Sequence, residues 1–352
     1  MIRVGLVGFG LGGRVFHAPL ISSVDGLQLA AVVERTSNHA AERYPGIKTY
    51  RAIEEMLADA TLDLIVISTP SGMHFEQARQ ALEAGKNLVV DKPVCVASTE
   101  IAELIAIAAK KNLFLSAFHE RRWDCEYQTT KKLFAEGVLG RLVHFESTLD
   151  RWRPATRVAW KDSTAMGGGV LLDLGTHLVD QALALFGKPE MVSAEVLRER
   201  DGEGADDAFT VRLQYPRLSV VLSCANLASL ARPRLHLRGT KGNYWKWIPD
   251  AQEIELSKIT RIEGPGWGQE PPAAWGMLKV DVDGGMVTRP VESVAGDYRL
   301  YYAGVRDALL GKAEIPVTAL DAWRGLRILE WAIESSSSHC AVVCDWSSEP
   351  TS

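Results

Sequence analysis

Three residues of this sequence carry side chains suited to moving a proton to or from an oxygen: Lys92, Asp173 and His177. Lys92 stands in Asp91-Lys92-Pro93, at the end of an apolar run. A partly buried ammonium there gives up its proton more readily. It can hydrogen-bond a hydroxyl or carbonyl and shuttle a proton, with Pro93 fixing the turn. Asp173 and His177 follow Gly167-Gly168-Gly169 and are four residues apart, so a helix places both on one face. An imidazole beside a carboxylate suits a general base, and the glycines let a substrate approach the backbone. Asp180, further along that helix, suits a structural role. A core histidine satisfied by an aspartate has the same local pattern; the convergence with Lys92 is what favours chemistry.

Arginines and indoles cluster in His119-Glu120-Arg121-Arg122-Trp123 and in Arg151-Trp152-Arg153-Pro154. Guanidinium donors meet hydroxyls and aromatic faces meet C–H faces, so these segments suit a polyhydroxylated ring. Arg122 and Arg153 join Lys92, Asp173 and His177 as candidate substrate contacts. Arg121 and Trp123 suit packing and ion pairing between domains.

A second set of residues suits a dinucleotide. Gly8-Phe9-Gly10-Leu11-Gly12-Gly13 fits G-x-G-x-x-G, directly after a strand pattern and opening a helical one. The first glycine permits a tight turn, the second lets a pyrophosphate reach the backbone, and the third lets helix and strand pack. Free N–H groups at the helix start favour negative charge. The next strand pattern ends in Glu34, which suits both ribose hydroxyls of NAD and repels a 2′-phosphate. Arg35, Thr36 and Ser37 follow and could hold that phosphate instead. NAD is therefore expected, with NADP the alternative. Thr69, Pro70 and Ser71, with His74 shortly after, stand at another strand end, where an α/β sheet binds its ligand. Ser71 and His74 also suit a helix cap and a first-turn residue. Asp91 and Lys92 complete the cofactor-facing set.

The elements that must position these residues follow from periodicity. Strand patterns cover residues 2–7, 27–33, 62–67, 87–90 and 114–117; helical ones cover 12–24, 52–58, 73–84 and 99–111. Pro19 should kink the first helix or leave a carbonyl unsatisfied. This alternation predicts a doubly wound parallel sheet. Near residue 120 the pattern changes, which divides the chain into 1–120, a dinucleotide-binding domain, and 121–352, a substrate-binding domain. In the second part, helices are expected at 124–136, 171–186, 298–310 and 319–335, the last capped by Thr318 with Asp321. Strands at 142–149, 191–197, 208–215, 218–224, 234–238 and 243–247 suggest an antiparallel sheet. Residues 249–297 are poorly periodic, and such a length suits a lid or an oligomer contact. The last residues, 349–352, read as a frayed end.

Composition narrows the function classes. The 352 residues are 47% hydrophobic with a formal net charge of -5, which favours neither nucleic acid nor an anionic membrane. No run approaches the roughly 20 apolar residues of a membrane span. The five cysteines are scattered with no C-x-x-C pair, so neither a disulfide framework nor a metal site is expected. A reduced, cytoplasmic protein is the expectation.

Together these motifs resemble the glucose–fructose oxidoreductase / inositol dehydrogenase / rhizopine-catabolism (Gfo/Idh/MocA) family. Gly8 to Gly13, Asp91-Lys92-Pro93, and the glycine run with Asp173, Gly175, His177 and Asp180 carry the likeness. The stretches from Gly13 to Ile21, Arg121-Arg122-Trp123-Asp124 and Arg153-Pro154 look most like its scyllo-inositol dehydrogenase branch. Asp91 replaces the usual Glu, and Glu120 stands where that branch tends to carry Asn. The resemblance implies a Rossmann domain followed by an α/β domain with a large, mostly antiparallel sheet, through which homodimers or homotetramers form. It implies Lys92, Asp173 and His177 as catalytic residues. The expected activity is NAD(P)-dependent oxidation of a sugar or cyclitol hydroxyl. The alternatives are a reductase of a keto-sugar or other carbonyl, and a catalytically silent sugar sensor on the same fold.

Overall fold

The computed structural model describes residues 1–156 and 159–351. Before residue 120 the chain builds a parallel sheet from β1 (Ile2–Val7), β2 (Leu27–Val33), β3 (Lys48–Tyr50), β4 (Leu64–Ile67), β5 (Asn87–Asp91) and β6 (Leu115–Phe118). Its strand order is β3-β2-β1-β4-β5-β6. All four residues of β4 are buried. Unbroken apolar runs of this kind mark strands covered on both faces. The order reverses between β1 and β4, so a crevice opens beyond their carboxyl ends.

The helix expected over 12–24 is present but divided. Gly12–His17 is a wide π-turn and Ala18–Ser23 an α-helix. The Ala18 N–H reaches the Gly13 carbonyl, a five-residue step, and Pro19 falls in the first turn of the α segment. The widened turn absorbs a proline that would break a regular helix. β3 is an addition: three partly exposed residues carry too short a pattern to be seen.

The second sheet contains β7 (Leu142–Thr148), β8 (Met191–Leu197), β9 (Ala208–Tyr215), β10 (Leu218–Ala225), β11 (Leu235–Gly239), β12 (Gly242–Lys246), β13 (Gly276–Val282), β14 (Gly285–Val291) and β15 (Val342–Val343). Their order is β14-β13-β12-β11-β7-β10-β9-β8-β15. Pairing is antiparallel except between β7 and β10. β9 shows the alternation of a one-sided sheet: Phe209, Val211 and Leu213 are buried, while Arg212 and Gln214 are exposed.

The aperiodic stretch 249–297 contains the β13–β14 hairpin. β14 is exposed at every residue but Val291, so no alternation betrays it. Its turn does: Asp283 and Gly284 both have positive φ, the conformation an Asp-Gly pair favours between antiparallel strands. The closing helix Ala319–Ser338 bears the expected cap, with reciprocal 3.0 Å bonds between Thr318 and Asp321. This helix ties the sheets together, as Glu330 accepts from the backbone N–H and hydroxyl of Ser98. The C-terminal end is not frayed through Glu349, which pairs with Arg324 and Lys188; Ser352 lies outside the described residues. Among the described residues, no helix is long and apolar enough to cross a membrane.

Candidate active site

The turn after β1 forms a cradle at the crevice. Gly8 has a φ of +97°, and a Cβ there would meet the Ser68 carbonyl oxygen at 2.4 Å. A Cβ on Gly13 would meet the Gly8 carbonyl oxygen at 2.2 Å, so helix and strand touch through this glycine. Gly10 is the opposite case, since a Cβ would meet nothing within 4 Å. Open space over the second glycine, beside the free N–H groups of a helix start, is what a pyrophosphate requires. A groove of about 670 Å³ runs from Gly8 and Phe9 past Glu34, Arg35 and Thr69. The residues present thus fit a dinucleotide.

Glu34 lines that groove but is 5% exposed. Its carboxylate accepts from the Ser37 hydroxyl (2.7 Å) and the Ala40 N–H (2.8 Å), bracing the loop that follows β2. Arg35 is exposed, and its side chain has no hydrogen bond or ion pair among the described residues.

A cleft of about 440 Å³ adjoins the groove, sharing Ser68, Thr69 and Pro70 with it. Gly10, Leu11, Gly12 and Ser71 form its cofactor side, and Lys92, Asp173, His177 and Arg153 also line it. Lys92 Nζ donates to the Asp173 carbonyl (2.7 Å) and to Asp173 Oδ1 (3.1 Å). Lys161 Nζ donates to Asp173 Oδ2 at 2.8 Å. Burial pushes the Asp173 carboxyl up, but Lys92 and Lys161 override it and hold it well below the usual carboxylate range. Asp91 is similar: burial raises it, yet His17, with Nε2 3.2 Å from Oδ2, and Lys92 bring it to about 2. His177 is 3% exposed. Burial, then Lys92, Arg121, His119 and Arg151, keeps its imidazole neutral, well below its ordinary range. Burial raises the Glu120 carboxyl to about 7, against the pull of Arg121 and Lys92. A neutral imidazole, an ammonium fixed by a carboxylate and a protonatable carboxyl therefore face one cleft, a set able to exchange protons with a hydroxyl or carbonyl.

Several expectations change. Arg122 does not line this cleft. It forms a bidentate pair with Asp180 (2.9 and 2.7 Å) at the wall of a separate cavity of about 360 Å³. Arg121 lines the cleft instead and pairs with Glu253 (3.0 Å). The cause is the tight 3-10 turn Glu120–Trp123, which sends consecutive side chains to different sides. His74 is 1% exposed and lines neither groove nor cleft. Its Nδ1 is 2.8 Å from the Pro93 carbonyl and its Nε2 2.8 Å from that of Thr69, so it braces two cofactor-side turns. Asp173 makes no hydrogen bond to His177, because its carboxylate oxygens are held by the two lysines. The close approach permitted by the glycine run is first that of the chain itself. The Gly169 N–H donates to the Lys161 carbonyl (2.9 Å), folding the loop so that Lys161 reaches Asp173. Lys161 and Ser68 were missed as site residues, and Arg151 was noted only as part of its arginine–tryptophan segment; a single lysine in an aperiodic stretch carries no signal that could have found Lys161.

Residues 2–119 match the family profile described as oxidoreductase family, NAD-binding Rossmann fold, and residues 131–343 match oxidoreductase family, C-terminal alpha/beta domain. The uncharacterized oxidoreductase YdgJ of Escherichia coli (strain K12) is 38% identical, over 97% of this chain and 98% of its own. IolW of Bacillus subtilis (strain 168), a scyllo-inositol 2-dehydrogenase (NADP(+)), is 32% identical, over 98% of this chain and 96% of its own. The solved structure of YPO2259 from Yersinia pestis superposes with a TM-score of 0.93 at 39% identity, covering 98% of this chain and 97% of that one.

Proposed function

This chain belongs to the Gfo/Idh/MocA oxidoreductase family and is an NAD(P)-binding oxidoreductase, and on that premise we propose that it oxidises a CH–OH group of a polyol, a cyclitol such as scyllo-inositol or an aldose. The observation that carries this reading is the Lys92–Asp173–Lys161 cluster beside a neutral His177, in a cleft continuous with the dinucleotide groove. The bound dinucleotide supplies the hydride acceptor. The other roles fall to the chain. His177 accepts the hydroxyl proton, as a neutral buried imidazole can. Lys92, held in place by Asp173, hydrogen-bonds the reacting oxygen. Arg151 and Arg153 offer donors to further hydroxyls at the cleft. The scyllo-inositol activity carried by the name of IolW supports a cyclitol as the first substrate to try.

Between the two cofactors we favour NAD. Glu34 places a carboxyl side chain in the groove wall at the end of β2, the position that favours ribose hydroxyls over a 2′-phosphate. Arg35 is the residue through which NADP would be accepted. We also assign residues 1–120 to dinucleotide binding and 121–352 to substrate binding. The outer face of the nine-stranded sheet is the contact we propose for a homodimer or homotetramer. A cytoplasmic site accords with five free cysteines. The test is cofactor reduction, followed by absorbance, with NAD and NADP each crossed against scyllo-inositol, myo-inositol, glucose, galactose and xylose. Turnover with NAD on a cyclitol or aldose is expected. Oxidation of none of them, with rapid reduction of a keto-sugar by NADH, would replace the proposal with the reverse physiological direction.

A further inference from the structure

Glu120 is 3% exposed and lines the cleft, yet none of the roles above uses it. Its Oε1 lies 4.0 Å from His177 Nε2, too far for a direct hydrogen bond. Its Oε2 and the Nδ1 of His177 are buried with no hydrogen-bond partner. Buried polar atoms are nearly always partnered. Those two atoms point away from the cleft; the atoms the pair turns toward each other are Oε1 and Nε2, on two side chains that both line it. One oxygen atom about 2.8 Å from both Oε1 and Nε2 would bond each, at an angle of about 90°. A secondary hydroxyl can fill that position, since it both donates and accepts.

The groups around the pair set its charge. Glu120 faces Arg121 on its own turn, Asp91 and Lys92 at the end of β5, and His177. His177 faces Lys92, Arg121, His119 and Arg151. Cations dominate this surround, so a positive charge left on the imidazole once it has accepted the hydroxyl proton is disfavoured. The carboxyl is the member of the pair able to take up a proton without adding one.

Resting on the function proposed above, we infer that Glu120 contacts the substrate and works with His177, the two together holding the reacting hydroxyl and receiving its proton. The bonds balance as follows. The O–H bond breaks and the proton passes to the pair. The C–H hydrogen leaves with both electrons as hydride to the dinucleotide, and a C=O bond forms. The substrate is oxidised by two electrons, the cofactor is reduced by two, and the pair returns its proton to water.

The test is the pH profile of kcat/KM for oxidation in wild type, E120Q and E120D, joined to 15N-histidine NMR of the same proteins without substrate. Wild type should gain activity with rising pH up to an inflection near pH 7. E120Q keeps the size and polarity but not the proton; its plateau should fall about 10- to 100-fold and its inflection should move to more acid pH. E120D should retain the inflection at reduced rate. The His177 ring signals should titrate near pH 7 in wild type, reporting Glu120, and not in E120Q. A wild-type plateau and inflection in E120Q, or ring signals indifferent to the substitution, would overturn the inference. Should wild type oxidise no polyol, the proposed function fails, while the NMR titration still decides whether the pair is coupled.

Discussion

Lys92 and Lys161 grip one carboxylate from two segments distant in sequence, and Asp173 places the first of them at the cleft. Replacing Lys92 by Met should lower turnover by about two to four orders of magnitude, the range of a proton-transferring side chain. Dinucleotide affinity, read by nucleotide fluorescence, should stay within about threefold. Near-normal turnover in that variant would show that the reacting oxygen does not depend on Lys92. The key residues were legible because each stands at a marked position: Lys92 where a strand ends, Asp173 and His177 four residues apart after a glycine run. Lys161 was not, since a single lysine in an aperiodic stretch carries no pattern. Arg121 and Arg122 could not be ranked either; only the 3-10 turn decides which of two adjacent arginines faces the cleft.

At the scale of elements, the glycine loop does two separable jobs. A Cβ on Gly13 strikes the Gly8 carbonyl, so G13A should lower the thermal midpoint by several degrees and weaken dinucleotide binding together. A Cβ on Gly10 meets only open space within the fold. G10A should therefore leave the midpoint within about a degree of wild type while weakening NAD by about tenfold or more, because the methyl fills the pyrophosphate's place. Melting curves with and without NAD separate the two; equal damage to stability by both would contradict the division. The buried strands of the first sheet were readable from their apolar runs, as was the cap of Ala319–Ser338 from Thr318 and Asp321. β3 and β14 were not, because one is three residues long and the other is almost wholly exposed. The Asp283-Gly284 turn was the cue overlooked.

Across the whole molecule, Lys92 with Asp173 and Ser98 with Glu330 link the part built on the first sheet to that built on the second. Asp91 and Asp173 both titrate below their unfolded value. Their stabilisation is complete above about pH 4 and is lost as pH falls through the folded values. For Asp91, held at about 2, this amounts to about 2 kcal/mol. Urea unfolding should thus show stability falling between about pH 4 and 2, with a shallower decline in D91N; parallel declines would mean Asp91 is not paired as described. On the outer sheet face, Trp245 and Met277 are cross-strand neighbours and both partly exposed. If that face joins copies of the chain, W245E/M277E should reduce the mass seen by light scattering to that of one 38.6 kDa chain, and an unchanged mass would place the contact elsewhere. The most direct measurement of the central claim is steady-state NAD reduction with scyllo-inositol, wild type beside Lys92→Met. The account predicts turnover by wild type that falls at least about a hundredfold in the variant with NAD still bound; equal rates in the two proteins, or no oxidation of any polyol by a wild type that binds NAD, would contradict it.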